Sequence, residues 1–419
     1  MNTVFTGVFG LCCWVLALLA APAWAKGQPF SLSQAVQAAL ATNPDLAGFA
    51  FELRAQDART DAAGLRPAPT LSANVENVLG NGEHSGLNTA ETTFALSQVV
   101  ELGGKRQARI GAAQSGRELI AVTEQAAQLD VLAEVTRRFI HVAGDQEQLA
   151  LTRNATALAR ETVQAVSARV HAAKAPDAEL RRARIALARA EVEQEHAEHE
   201  LGTSRRKLAA MWGDGEARFG AVTADLYTLP RPAPFESLLA RLDANPDFVR
   251  FASEARLRDA EIRLAEAKRR ADVTFSGGLR HLEETGDQAL VFGLSLPLGA
   301  GRVAAPAIAE ATALRGLTVA RRDAAAVRAK AQLYELHQEL RHAITETELL
   351  RGTVLPQMAG ALDETRYAYE RGRYGYLEWV EAQREFIAIR RSLIEAAVNA
   401  QVFQAEIERL TGEPLAAQP

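Results

Sequence analysis

The sequence predicts a mainly α-helical chain that also carries membrane β-strands, built as a tandem duplication. The first observation is a repeat: "TNPDLAGF" at 42–49 returns as "ANPDFVRF" at 244–251. The second is that each copy precedes a pair of segments in which apolar and polar residues alternate, as they do in strands. The third is that each pair precedes a very long helical pattern, a turn signal and a return helix.

The composition agrees with long helices. The chain has 419 residues, of which 48% are hydrophobic and only 6% aromatic, and its formal net charge is −5. A chain rich in Ala, Leu, Glu, Arg and Gln favours coiled coils over a sheet-rich enzyme. No basic excess marks a nucleic-acid surface, so we expect no nucleic-acid partner.

An apolar segment opens the sequence. Residues 1–25 end in an Ala-Trp-Ala triplet, which is typical of a signal-peptide cleavage site. We predict a cleaved signal peptide, and an uncleaved anchor is the alternative because no Lys or Arg precedes the apolar run. Cys12 and Cys13 are the only cysteines, so the mature chain is expected to lack disulfides and thiolate metal sites. No later stretch suggests the ~20 apolar residues of a membrane helix, so any membrane crossing is expected to use strands.

Four segments alternate with the period of a strand, at 70–79, 92–100, 273–282 and 289–298. Leu71, Ala73 and Val75, for example, share one face, and Ser72 and Asn74 between them are polar. Polar loops rich in Gly, Asn and Asp join the segments in pairs, which indicates two β-hairpins. At about ten residues each, the strands have the length that a tilted membrane strand needs.

Two long helical patterns follow the hairpins. Residues 104–173 and 303–371 each span about 70 residues, or about 105 Å at ~1.5 Å per residue, with Pro356 as an expected kink. Return helices are predicted at 177–212 and 376–411, where apolar residues recur every seven positions. The predicted organisation is as follows: signal peptide 1–25; first repeat 26–212, with a β-hairpin at 70–100 and a helical hairpin at 104–212; linker 213–234; second repeat 235–411, with a β-hairpin at 273–298 and a helical hairpin at 303–411; tail 412–419.

Four strands are too few to close a membrane barrel. The smallest such barrels have about eight strands, and open edges are not tolerated in lipid. Several chains must therefore share one barrel: two would give eight strands and a filled interior, and three would give twelve strands and a lumen.

The repeats and their motifs resemble the TolC family of outer-membrane efflux channels. The resemblance rests on the paired Asn-Pro-Asp motifs, on "LSQVVELGGKR" (96–106) and "LSLPLGAGR" (294–302), and on "YERGRYGYLEWVEAQREF" (369–386). "ELGGKR" in particular is similar to the heavy-metal subgroup, the outer-membrane components of cobalt–zinc–cadmium and copper–silver exporters. The resemblance implies a homotrimer with a 12-stranded β-barrel in outer-membrane lipid and a 12-helix α-barrel in the periplasm of a Gram-negative bacterium. It also implies a periplasmic adaptor (membrane fusion protein) and an inner-membrane, proton-driven resistance-nodulation-division pump as partners.

The resemblance also points to residues of a periplasmic gate. Glu378 and Glu381 match the acidic positions that follow the tip turn, and Glu179 is opposite Glu378 when the two hairpins are aligned. Threefold symmetry would make each a ring of carboxylates, which favours cations at a constriction. The alternative is a solvated helix start, where Glu is common anyway. Some members of the family have a gate-locking Arg where this chain has Tyr374.

The other candidates are weaker. Gly372 and Gly375 are expected to permit the tip turn, and Tyr369 and Tyr374 are candidate adaptor contacts, with helix packing as the alternative. His196 and His199 lie three residues apart among several Glu, and a solvated coiled-coil face is preferred over a metal site.

The function predicted from the resemblance is a passive duct that exports heavy-metal cations across the periplasm and the outer membrane. Multidrug or organic-solute efflux, or type I secretion, is the alternative within the family. A periplasmic adaptor would have one helical hairpin rather than two. We find no Ser/His/Asp set, carboxylate cleft or HExxH motif, so we predict no enzymatic activity, no cofactor and no resident metal.

Overall fold

The computed structural model describes residues 29–412. The predicted signal peptide at 1–25 and residues 413–419 of the predicted tail lie outside the described residues. Both described repeats have the predicted order of elements, and we number the helices and strands along the chain. The first repeat contains α1 (Leu32–Thr42), α2 (Pro44–Gly64), β1 (Thr70–Glu76), β2 (Glu91–Val100), α3 (Lys105–His171) and α4 (Asp177–Ala209).

The second repeat follows a connecting segment. It contains α5 (Phe235–Arg241), α6 (Pro246–Ala267), β3 (Val273–Leu282), β4 (Gln288–Ser295), α7 (Ala300–Leu349), α8 (Leu355–Glu370) and α9 (Tyr376–Thr411). A π-helical turn, Leu350–Val354, joins α7 to α8. Pro356 lies in the first turn of α8, directly after this π turn. The helical hydrogen-bond pattern is therefore interrupted next to the proline, where the sequence predicted a kink.

The four strands form one antiparallel sheet in the order β1-β2-β3-β4. The β2–β3 pairing joins the two repeats, and it places Phe94 opposite Leu279. Leu279 in turn lies opposite Leu290 on β4, and all three side chains are exposed on one face. The other face is polar: Arg280 lies 2.6 Å from Glu91 and 3.2 Å from Glu76. The sheet therefore has one apolar and one polar face, and among the described residues β1 and β4 each keep an unpaired edge.

The Asn-Pro-Asp motif joins helices end to end. Asn43 accepts hydrogen bonds from the backbone N–H groups of Asp45 and Leu46, which caps α2, and its Nδ2 donates to the Met211 carbonyl at the end of the α4 segment (2.8 Å). Asn245 caps α6 in the same way and donates to the Arg409 and Leu410 carbonyls at the end of α9. Both side chains are buried. The repeated motif therefore stacks α4 on α2 and α9 on α6 as two nearly continuous columns.

The helices form an arc of four columns. α3 contacts the α4/α2 column on one side and the α9/α6 column on the other, and α9 and α6 contact the α7–α8 column. α1 and the connecting segment cover one face of α3: Phe139 packs in the same core as Phe30 and Phe219. The arc, like the sheet, has two outer edges, at α4/α2 and at α7–α8.

The sequence predicted no membrane helix after the N-terminal segment, but one helical stretch is apolar enough to be a candidate. Ala300–Glu370 contains an 18-residue window with a mean hydropathy of 1.2, which is apolar enough to cross a membrane by length and composition alone. The stretch is rich in alanine, and only 17% of that window is buried within the chain. A packing face of a soluble helix passes the same test, so this is weak evidence for a membrane helix.

Candidate functional site at the hairpin tips

The two helical hairpins end in turns with the same hydrogen bonds. In the first, the N–H of Lys174 donates to the Arg169 carbonyl (2.8 Å), and in the second the N–H of Arg373 donates to the Ala368 carbonyl (2.9 Å). These bonds are typical of the Schellman motif, in which the residue after the helix adopts a left-handed conformation. That residue is Gly372 in the second turn (φ 72°) and Ala173 in the first (φ 52°).

The two tip glycines differ in conformation. Gly372 has the left-handed backbone that favours glycine. Gly375 is the N-cap of α9 and has an extended backbone (φ −83°, ψ 174°), which any residue adopts. A Cβ at Gly375 would lie 2.9 Å from Oε2 of Glu378, so this glycine leaves room for that carboxylate rather than permitting the turn.

An aromatic cluster fills the space between the tips. The rings of Tyr369 and Trp379 stack with their centres 4.8 Å apart, and Tyr376 lies in the same cluster. Tyr369 is only 1% exposed, whereas Tyr374 is 52% exposed. Of the two tyrosines that the sequence suggested as adaptor contacts, Tyr369 therefore packs inside the tip because of its ring stacking, and only Tyr374 offers surface.

This cluster buries polar atoms that have no hydrogen-bond partner of good geometry among the described residues. They are the hydroxyls of Tyr369 and Tyr376 and Nε1 of Trp379. An unsatisfied buried group costs about 1–3 kcal/mol. Burial raises the pKa of Tyr369, and the nearby carboxylate of Glu179 acts in the same direction. The tip therefore contains unfavourable polar burial that an alternative packing could relieve.

The three predicted gate carboxylates do not share one environment. Glu179 is half-buried beside the tyrosines. Glu378 and Glu381 are exposed and line a groove of about 500 Å³ between α4 and α9. The repeat alignment thus places Glu179 and Glu378 at equivalent positions of the two turns, but the structure brings only Glu378 and Glu381 to the groove.

The groove is not purely acidic near the tips. Arg182 and Arg189 of α4 and Arg384 of α9 line it together with the two glutamates. The Arg384 guanidinium lies 3.8 Å from the Glu381 carboxylate. In this part of the groove the three guanidinium groups outnumber the two carboxylates.

The groove continues along α3, away from the tips. A second section, of about 390 Å³, shares Arg189 and Arg384 with the first. A third section, of about 530 Å³, shares Arg391 with the second. Gln148 and Thr152 of α3 form part of the groove's floor. Helical periodicity puts these residues on the face opposite Phe139 and Gln146, and Gln146 bonds to Val222 of the connecting segment (3.0 Å). The groove therefore faces away from the connecting segment.

The "ELGGKR" motif forms the junction between sheet and helices. Gly103 and Gly104 both have left-handed backbones, and a Cβ at Gly103 would lie 3.0 Å from the Ala267 carbonyl. Glu101 makes a two-pronged ion pair with Arg109, and Nζ of Lys105 lies 2.6 Å from Asp272 in the second repeat. The motif thus turns β2 into α3 and ties the two repeats together.

The sequence predicted apolar residues at every seventh position along 376–411, a range that contains Trp379, and gave no role to Arg169. The guanidinium of Arg169 donates to the Tyr369 carbonyl and lies over the Tyr369 ring, 4.5 Å from its centre. These residues are 200 positions apart, so no local pattern could indicate the contact. The heptad position of Trp379 was the available signal for its burial.

Comparison with known proteins agrees with this architecture. Residues 35–214 match the family described as outer membrane efflux protein. The chain is 29% identical over 392 residues to the cobalt-zinc-cadmium resistance protein CzcC of Cupriavidus metallidurans, covering 92% of this chain and 90% of that protein. It is 27% identical over 291 residues to the nickel and cobalt resistance protein CnrC of the same organism, covering 69% and 68%.

A solved structure shows the same fold. The outer membrane protein VceC of Vibrio cholerae superposes with a TM-score of 0.73 at 19% identity, covering 92% of this chain and 97% of that one. The predicted fold class is therefore confirmed. With the family match and the two metal-resistance relatives, the chain's resemblance to the TolC-type outer-membrane efflux channels, and to their heavy-metal subgroup, is confirmed.

Proposed function

We propose that this protein is the outer-membrane channel of a tripartite efflux system, a passive duct that carries heavy-metal cations across the periplasm and the outer membrane. A periplasmic adaptor and an inner-membrane, proton-driven resistance-nodulation-division pump would deliver the cargo. The names of the relatives support a metal cargo, because CzcC and CnrC are described as resistance proteins for cobalt, zinc, cadmium and nickel.

The observation that carries the proposal is that both layers of the chain are open arcs. Within the described residues the sheet has free edges at β1 and β4, and its exposed apolar face includes Leu71 (73%), Leu290 (73%) and Phe292 (79%). Lipid requires such edges to be paired and such a face to be turned outward. Three copies would close a 12-stranded barrel that continues into a tunnel of twelve helical columns. In this arrangement β4 of each copy pairs with β1 of the next, and the α7–α8 column of each copy packs against the α4/α2 column of the next.

The same closure supports a gate at the tips. If the connecting segment surrounds the tunnel as a girdle, the groove on the opposite face of α3 lines the lumen, and Glu378 and Glu381 then face the pore. Adaptor binding at the exposed tips, where Tyr374 offers surface, would separate the aromatic cluster and widen the mouth. The chain itself needs no energy source for this step, because the pump supplies the driving force.

Two measurements test the proposal. Purified full-length protein in a planar bilayer should form discrete conducting pores as a trimer. A strain that lacks the protein should become sensitive to zinc, cobalt, cadmium or nickel, and the intact chain should restore growth. Sensitivity to dyes and antibiotics instead would keep the channel but exclude the metal cargo, and silent, monomeric protein would exclude the channel.

A further inference from the structure

The four strands of the sheet carry very little charge, and that charge lies in one place. The only Asp, Glu, Lys or Arg residues within β1–β4 are Glu76, Glu91 and Arg280. The strand register puts Glu76 opposite Glu91, and it puts Arg280 opposite Thr93. Residues two apart in a strand share a face, so all three charged side chains lie on the polar face of the sheet at nearly the same level.

The three charged side chains form one network. The Arg280 guanidinium donates from Nη1 to Glu91 (2.6 Å) and from Nη2 to Glu76 (3.2 Å). Its Nε donates to the Thr93 hydroxyl (3.0 Å). The side chain of Asn77, directly after β1, donates to the other carboxylate oxygen of Glu91 (3.0 Å). The planar guanidinium is therefore held by three acceptors, which fixes the network at this level of the sheet.

This network lies at the end of the sheet that is remote from the helices. The helical end is where α2 and α6 lead into β1 and β3, and where β2 and β4 lead into α3 and α7. The network instead adjoins the connections 77–90 and 283–287, which join the strands in pairs. With the helices in the periplasm, as in the proposed trimer, it would lie near the external mouth of the barrel.

The polar face between the network and the helices has mainly small side chains. Two positions are glycines: a Cβ at Gly278 would clash with the Phe94 carbonyl, and one at Gly293 would clash with the Ser276 hydroxyl. The glutamates and the arginine of the network are the longest side chains on this face. In a closed barrel they would therefore extend furthest toward the axis.

The network has an excess of negative charge. Each chain contributes two carboxylates and one guanidinium, so one negative charge remains per chain and three remain in a trimer. All three side chains are partly exposed: 56% for Glu76, 23% for Glu91 and 32% for Arg280. Solvent and passing ions can therefore reach the charges.

We propose that Glu76, Glu91 and Arg280 form a negatively charged ring in the barrel lumen that favours hydrated cations over anions at the external mouth. The inference rests on the proposed function, because only a closed trimer makes this face of the sheet a lumen. Rings of acidic side chains favour cations in channels, and low-dielectric walls strengthen their field.

The ring acts through its charge and not through metal coordination. Both of its carboxylates are already bonded to Arg280, and among the described residues no group of three His, Cys, Asp or Glu could hold a metal ion. The substrate class that it selects is therefore the hydrated cation, whatever the metal. Attraction without ligation suits an exit, because the cargo must leave the channel.

The test measures reversal potentials of full-length trimers in planar bilayers across a KCl gradient. Glu76→Gln removes one carboxylate per chain, and the matched control is Glu284→Gln, which removes an exposed carboxylate from the β3–β4 connection. We expect Glu76→Gln to lower the ratio of K⁺ to Cl⁻ permeability roughly twofold or more at ~0.1 M salt, where the Debye length is ~10 Å, and to have little effect near 1 M. Glu76→Asp keeps the charge and should keep the wild-type ratio.

Arg280→Gln should change the selectivity in the opposite direction. It leaves two carboxylates per chain without their guanidinium, so the ratio of K⁺ to Cl⁻ permeability should rise. A network with only a structural role would not give shifts of opposite sign in the two variants. If Arg280→Gln fails to assemble, Glu76→Lys takes its place, and it should lower the ratio further than Glu76→Gln does.

Equal selectivity of wild type, Glu76→Gln and Glu284→Gln would overturn the inference, as would shifts of the same sign in Glu76→Gln and Arg280→Gln. Conductance is recorded for every protein. Trimers that conduct but whose selectivity does not depend on Glu76 contradict only this inference, whereas wild type that does not conduct contradicts the proposed function.

Discussion

Arg169 and Tyr369 connect the tips of the two helical hairpins. The Arg169 guanidinium lies over the Tyr369 ring, 4.5 Å from its centre, and donates a hydrogen bond to the Tyr369 carbonyl. One residue comes from each repeat, so the contact holds α3 against α8 at the tips of the two hairpins. Any outward movement of one hairpin relative to the other must break it.

Arg169→Ala should therefore favour the open tip. A hydrogen bond from a charged group contributes about 1.5–3 kcal/mol, and the cation–π contact adds to this. We expect a higher mean single-channel conductance in planar bilayers. Arg160→Ala is the matched control, because Arg160 pairs with Glu191 within one hairpin (3.3 Å). Equal conductance of the two variants would mean that the Arg169 contact does not limit opening.

The two tip turns offer reciprocal substitutions. Ala173 adopts φ 52° in the turn where its counterpart Gly372 adopts φ 72°. A left-handed conformation costs a residue with a Cβ about 1–2 kcal/mol. Ala173→Gly should raise the thermal unfolding temperature, and Gly372→Ala should lower it. Gly215→Ala serves as the control for the backbone effect, since Gly215 has no left-handed backbone and a Cβ there would meet nothing within 4 Å. A Gly372→Ala protein as stable as wild type would argue against strain in the turn.

The stacked helices depend on Asn43 and Asn245. Each side chain caps one helix and donates to the end of another, so replacement by Ala removes a cap and leaves buried carbonyls with fewer donors. We expect each single substitution to destabilise the chain by about 2–4 kcal/mol, from ~1 kcal/mol for the cap and 1–3 for the buried groups. Denaturant unfolding measures this, with the exposed Asn154→Ala as control. If the free energy of unfolding falls no more than in the control, water replaces the hydrogen bonds that Asn43 and Asn245 make.

The same asparagines show which features of the fold could be predicted from the sequence and which could not. Period-two alternation and the long helical patterns predicted the strands and the long helices, because each depends on residues close in sequence. The donation from Asn43 to Met211 spans 168 residues and has no local signature. The two columns of stacked helices therefore emerged only from the structure.

The candidate site shows the same limit. Glu179 and Glu378 follow equivalent turns, and the sequence paired them as one kind of gate residue. Their surroundings differ because the first turn packs its carboxylate beside Tyr369, whereas the second leaves Glu378 in an open groove. The arginines that share this groove come from α4 and α9 together, and helix periodicity alone does not predict which faces of distant helices meet.

The junction between sheet and helices should be sensitive to acid. The hydrogen bond from Arg109 holds the pKa of Glu101 below its ordinary value of 4.5. A carboxyl group whose pKa is lowered by folding binds more protons when unfolded, so its stabilising contribution is complete above its unfolded pKa and is lost as the pH falls through the folded value. Glu101→Gln should therefore lower the unfolding temperature at pH 7 and show a weaker decline than wild type below about pH 4.5. Parallel pH profiles of the two proteins would mean that Glu101 does not contribute to acid unfolding.

The glutamates of the tip groove should influence ion selectivity. Three arginines line the same section, so removal of both carboxylates leaves a cationic lining. Glu378→Gln combined with Glu381→Gln should shift the reversal potential, measured across a salt gradient, toward anion preference. The effect should weaken at high salt, because the Debye length shortens to about 3 Å at 1 M. Glu385→Gln, an exposed residue of α9 outside the groove lining, is the control. An unchanged reversal potential in the double variant would mean that Glu378 and Glu381 lie away from the conducting path. This section of the groove would then not line the pore.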